Sequence, residues 1–192
     1  MQTMPLLFWV EIGAYSAATV SALALGLMVL STAPRQMLNR LFALLTTLEA
    51  IWAISAVMLR LALMMDRGNP TFWLALAAIA LNTMGLILPM FAVRYVKRPK
   101  KWVDAVVAIG FVALIFSIIP TFRGDLLRNP RILPSGLGTY EVTQLGSFVP
   151  LLPIPYFIWA FILLWRDRQE ARSTYLALSV LTLLAGFLIG GI

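Results

Sequence analysis

The chain has 192 residues, of which 61% are hydrophobic and 12% charged, with mean hydropathy +0.90 and a net charge of +7. An ordinary soluble domain is about one quarter charged, so these charges are too few to cover a water-exposed surface. They also fall in clusters between long apolar runs, and that pattern excludes a nucleic-acid reading of the positive balance: basic residues at helix ends orient a membrane protein and meet anionic headgroups. With no Cys and no His, the chain has no disulfide, no thiolate chemistry and none of the commonest haem, zinc or copper ligands. No cofactor is expected. All three lysines, Lys97, Lys100 and Lys101, lie in one connection, which rules out a lysine inside a span holding a retinal Schiff base.

The pattern predicts an all-α fold, a polytopic transmembrane helix bundle of six spans forming a single domain over 1–192. The first span is Leu6–Leu30. No Lys or Arg precedes it, so it lacks the positive start of a cleaved signal peptide and reads as a retained helix. Its Ala14, Ala18, Ala22 and Gly26 recur every four residues, a small-residue strip suited to packing within the bundle or to a dimer.

The second span, Leu41–Met65, is 25 residues long and carries one interior carboxylate, Glu49. At about 1.5 Å per residue from Arg40, Glu49 lies roughly 13 Å deep, near the middle of a ~30 Å hydrocarbon core. A carboxylate there is a functional-site hypothesis by default. Asn82 in the third span, Thr71–Val93, lies roughly 16 Å in by the same rise. Thr19, Tyr156 and Thr182 sit at similar depth on other spans. The functional reading is a small polar pocket for a headgroup, a quinone-like ring or a proton. The alternative is interhelical hydrogen bonding, favoured for Asn82, Thr19 and Thr182. Glu11, one turn into the first span, and Arg60, near the far end of the second, either pair across adjacent helices or snorkel separately to water, structural roles being favoured for both.

The fourth span is Trp102–Ile119, and Pro120 to Gln144 follows as the longest connection. Its prolines and the turn-like Pro134-Ser135-Gly136-Leu137-Gly138 predict a solvated loop, with a lid over the bundle mouth as the competing reading. The fifth span, Leu145–Trp165, opens with Pro150, Pro153 and Pro155. Either its first half is unwound or the helix starts at one of these prolines. The sixth is Ser173–Ile192, with Gly186 and Gly190 as a second small-residue pair.

Orientation follows from the connections. Arg35, Arg40, Arg94, Lys97, Arg98, Lys100, Lys101, Arg166, Arg168 and Arg172 make ten of the 15 basic residues, and all ten fall after odd-numbered spans. The positive-inside rule places those connections in the cytoplasm and the N-terminus outside, with Lys97, Arg98, Lys100 and Lys101 against lipid headgroups. An outside C-terminus with no polar flank reads either as a short protein or, preferably, as the front of a longer one with a seventh span.

The segment Asn39-Arg40-Leu41-Phe42-Ala43-Leu44-Leu45 with Ile51-Trp52-Ala53-Ile54 resembles the second span of the N-terminal seven-helix membrane region of bacterial sensor histidine kinases. Phe72-Trp73-Leu74-Ala75, Leu88-Pro89-Met90-Phe91 and Arg94-Tyr95 resemble its third span. Leu163-Leu164-Trp165-Arg166 with Tyr175-Leu176 resembles its fifth-to-sixth junction. The resemblance implies a multi-pass sensor of the bacterial cytoplasmic membrane that passes a signal to an output domain. The phosphoacceptor histidine of such a kinase is not in this His-free chain, and no catalytic motif marks it as an enzyme. Candidate ligand-binding residues are Glu49, Asn82, Tyr156, Glu11 and Arg60. Expected partners are the lipid bilayer and either other membrane-protein subunits or a second copy. The alternative is a structural accessory subunit of a larger membrane complex, binding lipid or pigment at its surface.

Overall fold

The fold is taken from a computed structural model that describes residues 5–97, 101–144, 146, 153–166, 176, 178 and 180, with the backbone alone at Lys101. In chain order the elements are α1 (Leu6–Thr32), α2 (Met37–Met65), α3 (Pro70–Tyr95), α4 (Lys101–Arg123), β1 (Leu127–Ile132), β2 (Gly138–Val142) and α5 (Pro153–Arg166). Helices α1 to α4 are each long and apolar enough to cross a membrane, while α5 has 14 residues among those described. The expected sixth span lies outside the described residues except at Leu176, Leu178 and Val180, which are helical.

Helix α3 is the axis of the bundle. α2, α4 and α5 pack around it, and α1 packs on the far side of α2. Its start is written locally: Asn69 Oδ1 accepts from the Phe72 amide at 3.1 Å, and Pro70 occupies the first turn, where its missing N–H costs nothing. The helix continues through Pro89 to Tyr95. The larger core cluster joins Leu41 and Leu45 of α2, Met84, Leu88 and Phe91 of α3, and Phe157, Ala160 and Leu164 of α5, with Val180. A second joins Leu86 and Val93 of α3 to Val103, Val107 and Leu114 of α4.

Two close approaches set the packing. Gly26 of α1 faces the Thr46 hydroxyl of α2, so the small-residue strip is buried within the chain at Ala22 and Gly26. Gly85 of α3 lies against Pro153 and Phe157 of α5. Helix α5 is described from Pro153 onward; Pro150, and with it the choice between an unwound first half and a helix that starts at a proline, lies outside the described residues. The turn between α1 and α2 is fastened by Asn39, whose amide donates to the carbonyls of Val29 at 3.1 Å and Ala33 at 3.3 Å, near the end of α1.

The outward sides of α1 and α4 remain apolar and open. Leu6, Val20 and Leu27 on α1, and Ile109, Ile115 and Phe116 on α4, are each more than half exposed. Such surface is unsustainable in water on this scale and is what a lipid-facing helix presents.

The connection expected as a solvated loop departs from that expectation. It forms an antiparallel hairpin, pairing Leu127 with Val142, Arg128 with Glu141, Arg131 with Thr139 and Ile132 with Gly138. β1 carries one extra residue between Arg128 and Arg131, and Asn129 takes a left-handed conformation there (φ 50°). Asn tolerates that region, and Pro130, without an N–H, fits a bulge that asks it for no ladder bond. A lone two-stranded hairpin is marginal, and this one is held by burial: Leu126 and Leu127 pack on Leu74 of α3, with Leu59, Ala78 and Tyr140 around them. Thr143 closes its base, its hydroxyl donating to the Asp125 carbonyl at 2.7 Å.

Candidate functional site: an ion pair beneath the hairpin

At the hairpin end of the bundle, Glu11 of α1 and Arg60 of α2 form an ion pair with Nε to Oε2 at 2.6 Å. Arg60 is buried, and its Nη1 also donates to the Ala56 carbonyl of its own helix at 3.1 Å. The guanidinium lies over the Tyr15 ring, 4.8 Å from its centroid, and Trp52 meets Tyr15 edge-on at 5.5 Å. The spacing explains the cluster. Tyr15 follows Glu11 by four residues and Trp52 precedes Arg60 by eight, so each pair shares one helix face. Arginine suits the place because its planar, permanently charged fork can hydrogen-bond and stack at once.

The hairpin covers this group. Gly138, the first residue of β2, sits over the guanidinium: a methyl group added there would stand 3.4 Å from Nη2. Two residues earlier, Gly136 turns with φ 92° against Pro5 and the Phe8 amide at the start of α1. A side chain would be strained at that φ and would strike α1, so the glycine is what lets the turn close on the helix. Three distant parts of the chain therefore meet here: α1 supplies the carboxylate, α2 the cation, and the hairpin the cover. The charges of the hairpin lie away from its turn, where Glu141 accepts from Asn129 at 2.8 Å and lies 4.0 Å from both Arg128 and Arg131. Those exposed pairs add little to stability.

Among the described residues, no hydrogen bond or ion pair joins the remaining candidates to one another. Thr19 donates to the Tyr15 carbonyl of its own helix at 2.9 Å. Asn82 is buried and donates to the Ala78 carbonyl, also of its own helix, at 2.8 Å, while its Oδ1 has no partner among the described residues. Tyr156 reaches from α5 to the Val106 carbonyl of α4 at 3.4 Å, away from α1 and α2. Thr182 lies outside the described residues. Glu49 is half-buried on α2 and makes no hydrogen bond or ion pair with another described residue. A carboxylate without a partner contributes no pairing energy to the fold. Glu49→Gln is therefore expected to leave the unfolding midpoint unchanged or slightly raised, as measured by thermal unfolding in mixed micelles. A clear loss of stability would assign Glu49 a structural partner.

At the opposite end, Lys97 is exposed and left-handed (φ 52°) just after α3, and Arg94 meets Asp104 of α4 at 3.4 Å. Arg98 and Lys100 lie outside the described residues, as does the side chain of Lys101.

Burial pushes the Tyr140 phenol above its ordinary value. In the folded state the neutral phenol is favoured, whereas the unfolded chain releases its proton near pH 10. Hairpin docking should thus be at full strength below about pH 10 and weaken as pH rises past it. Tyr140→Phe should flatten that alkaline decline in a pH series of hydrogen exchange on the hairpin; an unchanged slope would assign the decline to other groups.

Comparison with protein-family models, with curated proteins and with solved structures finds no match to this chain.

Proposed function

We propose that the chain is the membrane-embedded sensor region of a signalling protein, of the kind found on bacterial sensor histidine kinases. It lies in the cytoplasmic membrane with the hairpin end outside. The observation that carries this reading is the Glu11–Arg60 pair beneath the hairpin. A sensor needs an element with two arrangements that a stimulus stabilises differently. A cover resting on a charge pair between two helices is such an element. With the cover seated, the guanidinium is shielded and the pair is strong. With it lifted, water weakens the pair and frees α1 relative to α2. α2 packs along α3, which carries Arg94 in its last turn with Lys97 just beyond it, at the basic end that this proposal places on the cytoplasmic side. The six-span count and the N-terminus-outside orientation belong to this proposal.

A second reading, an accessory subunit of a larger membrane complex, is favoured by the outer side of α1. There Gly13, Ala14, Ala17, Ser21 and Ala24 are exposed and leave a smooth surface for another helix.

One experiment separates the two. Lys97→Cys provides a single thiol at the far end of this Cys-free chain. Its labelling rate in native membranes is compared with and without Glu11→Gln. The sensor reading predicts a severalfold change in rate across the membrane. An unchanged rate, with disturbance confined to the hairpin end, supports the accessory subunit and contradicts the sensor.

A further inference from the structure

The hairpin is divided along its length. Its charged residues, Asp125, Arg128, Arg131 and Glu141, lie between the base and the Arg131–Thr139 pair. From Ile132 to Tyr140 there is no charged residue. At the tip the Leu133 amide donates to the Leu137 carbonyl at 2.8 Å, which sets the two leucines opposite each other across the turn. Residues so opposed place their side chains on one side of a hairpin. Both are exposed, at 39% and 41%.

The position of this tip identifies what covers it. Gly136 rests on Pro5 and the Phe8 amide, so the turn lies level with the first residues of α1. Helix α1 has 27 residues, about 40 Å at the usual rise, against a hydrocarbon core of about 30 Å. Its first turns therefore stand at the boundary between acyl chains and headgroups. There it exposes Leu6 at 79% and Trp9 at 53%, a side chain suited to that boundary. The charge-free tip thus rests, through Gly136, on the end of α1 that presents this apolar surface.

We propose that the hairpin tip is seated in the bilayer, with Leu133 and Leu137 in the headgroup–acyl boundary of the leaflet at that end, so that lipid is the partner holding the cover on Arg60. The shape of the hairpin makes the consequence direct. Gly138, one residue beyond Leu137, is the residue lying on the guanidinium. The packing of that leaflet thereby bears on the ion pair through a single residue step. This inference does not require the sensor reading.

The chain has no cysteine, so single thiols can be placed freely. Leu133→Cys, Leu137→Cys and, at the hairpin base, Arg128→Cys are each labelled with an environment-sensitive nitrobenzoxadiazole dye and reconstituted into phosphatidylcholine vesicles. The expected result at both tip positions is blue-shifted emission, strong quenching by lipids bearing a nitroxide high on the acyl chain, and severalfold weaker quenching by aqueous iodide than at position 128. Iodide quenching equal to that at position 128, with no effect of the nitroxide lipids, would overturn the proposal in favour of a water-exposed tip. Protection from both quenchers, with self-quenching that grows with protein-to-lipid ratio, would overturn it in favour of a second copy. Ser135→Cys, which removes no apolar side chain, gives the same reading should a leucine variant fail to reconstitute.

Discussion

Glu11→Ala is expected to destabilise the bundle by about 3–5 kcal/mol, the usual cost of removing one partner from a buried ion pair. The loss comes mostly from what is left behind. Arg60, its side chain 9% exposed, would keep its charge with only the Ala56 carbonyl and the Tyr15 ring to receive it. Arg60→Ala should cost less, because the Glu11 side chain is 20% exposed and nearer water. Replacing both, Glu11→Leu with Arg60→Met, should recover most of the stability, since apolar residues of similar volume need no desolvation. A double-mutant cycle of unfolding in mixed micelles measures the coupling directly. Additive single effects would show that the pair is not energetically joined.

The second large effect is expected at Gly85. A methyl group there would stand 2.5 Å from Pro153 Cβ and 3.1 Å from Pro153 Cα, with the Phe157 ring at 3.3 Å. The obstacle is largely backbone and ring, neither of which can swing aside. Gly85→Ala should therefore cost about 1–3 kcal/mol despite the better helix propensity of alanine, and Gly85→Val more. The effect would appear as a lowered unfolding midpoint and as loosening of α5 from α3. Gly13→Ala is the matched control, because nothing lies within 4 Å of the added carbon. It should change stability by no more than about 0.5 kcal/mol. Equal effects at the two glycines would contradict the packing of α5 on α3.

Much of the bundle was legible because long apolar runs admit few structures in a membrane. The predicted spans Leu6–Leu30 and Thr71–Val93 became α1 and α3 with ends displaced by two residues or fewer, and the second span gained a turn at its start, Met37–Leu41. Depth counting placed Glu11 and Arg60 toward the same end, and the pair they form was among the expectations. The hairpin was not legible as sheet. Leu127-Arg128-Asn129-Pro130-Arg131-Ile132 has one β-branched residue and a proline, and its pairing is decided by burial against Leu74, which no local pattern reveals. Tyr15 was missed for a related reason. Its offset of four from Glu11 was readable, but its role exists only once Arg60 is brought over its ring. Equal depth, conversely, did not translate into hydrogen bonds between these residues. Thr19, Asn82 and Tyr156 lie on helices with different neighbours, and two of them satisfy their donors within their own helix. Depth fixes one coordinate of a side chain and leaves its direction around the helix open.

Hairpin and ion pair act as one unit. Hydrogen exchange of the Leu133, Gly136 and Thr143 amides, each bonded within the hairpin or its base, tests it in the reconstituted protein. Relative to wild type, Glu11→Gln should speed exchange at all three, because a guanidinium released from its partner no longer presents a fixed surface to Gly138. Unchanged protection of the hairpin, in a variant whose ion pair is gone, would contradict the account.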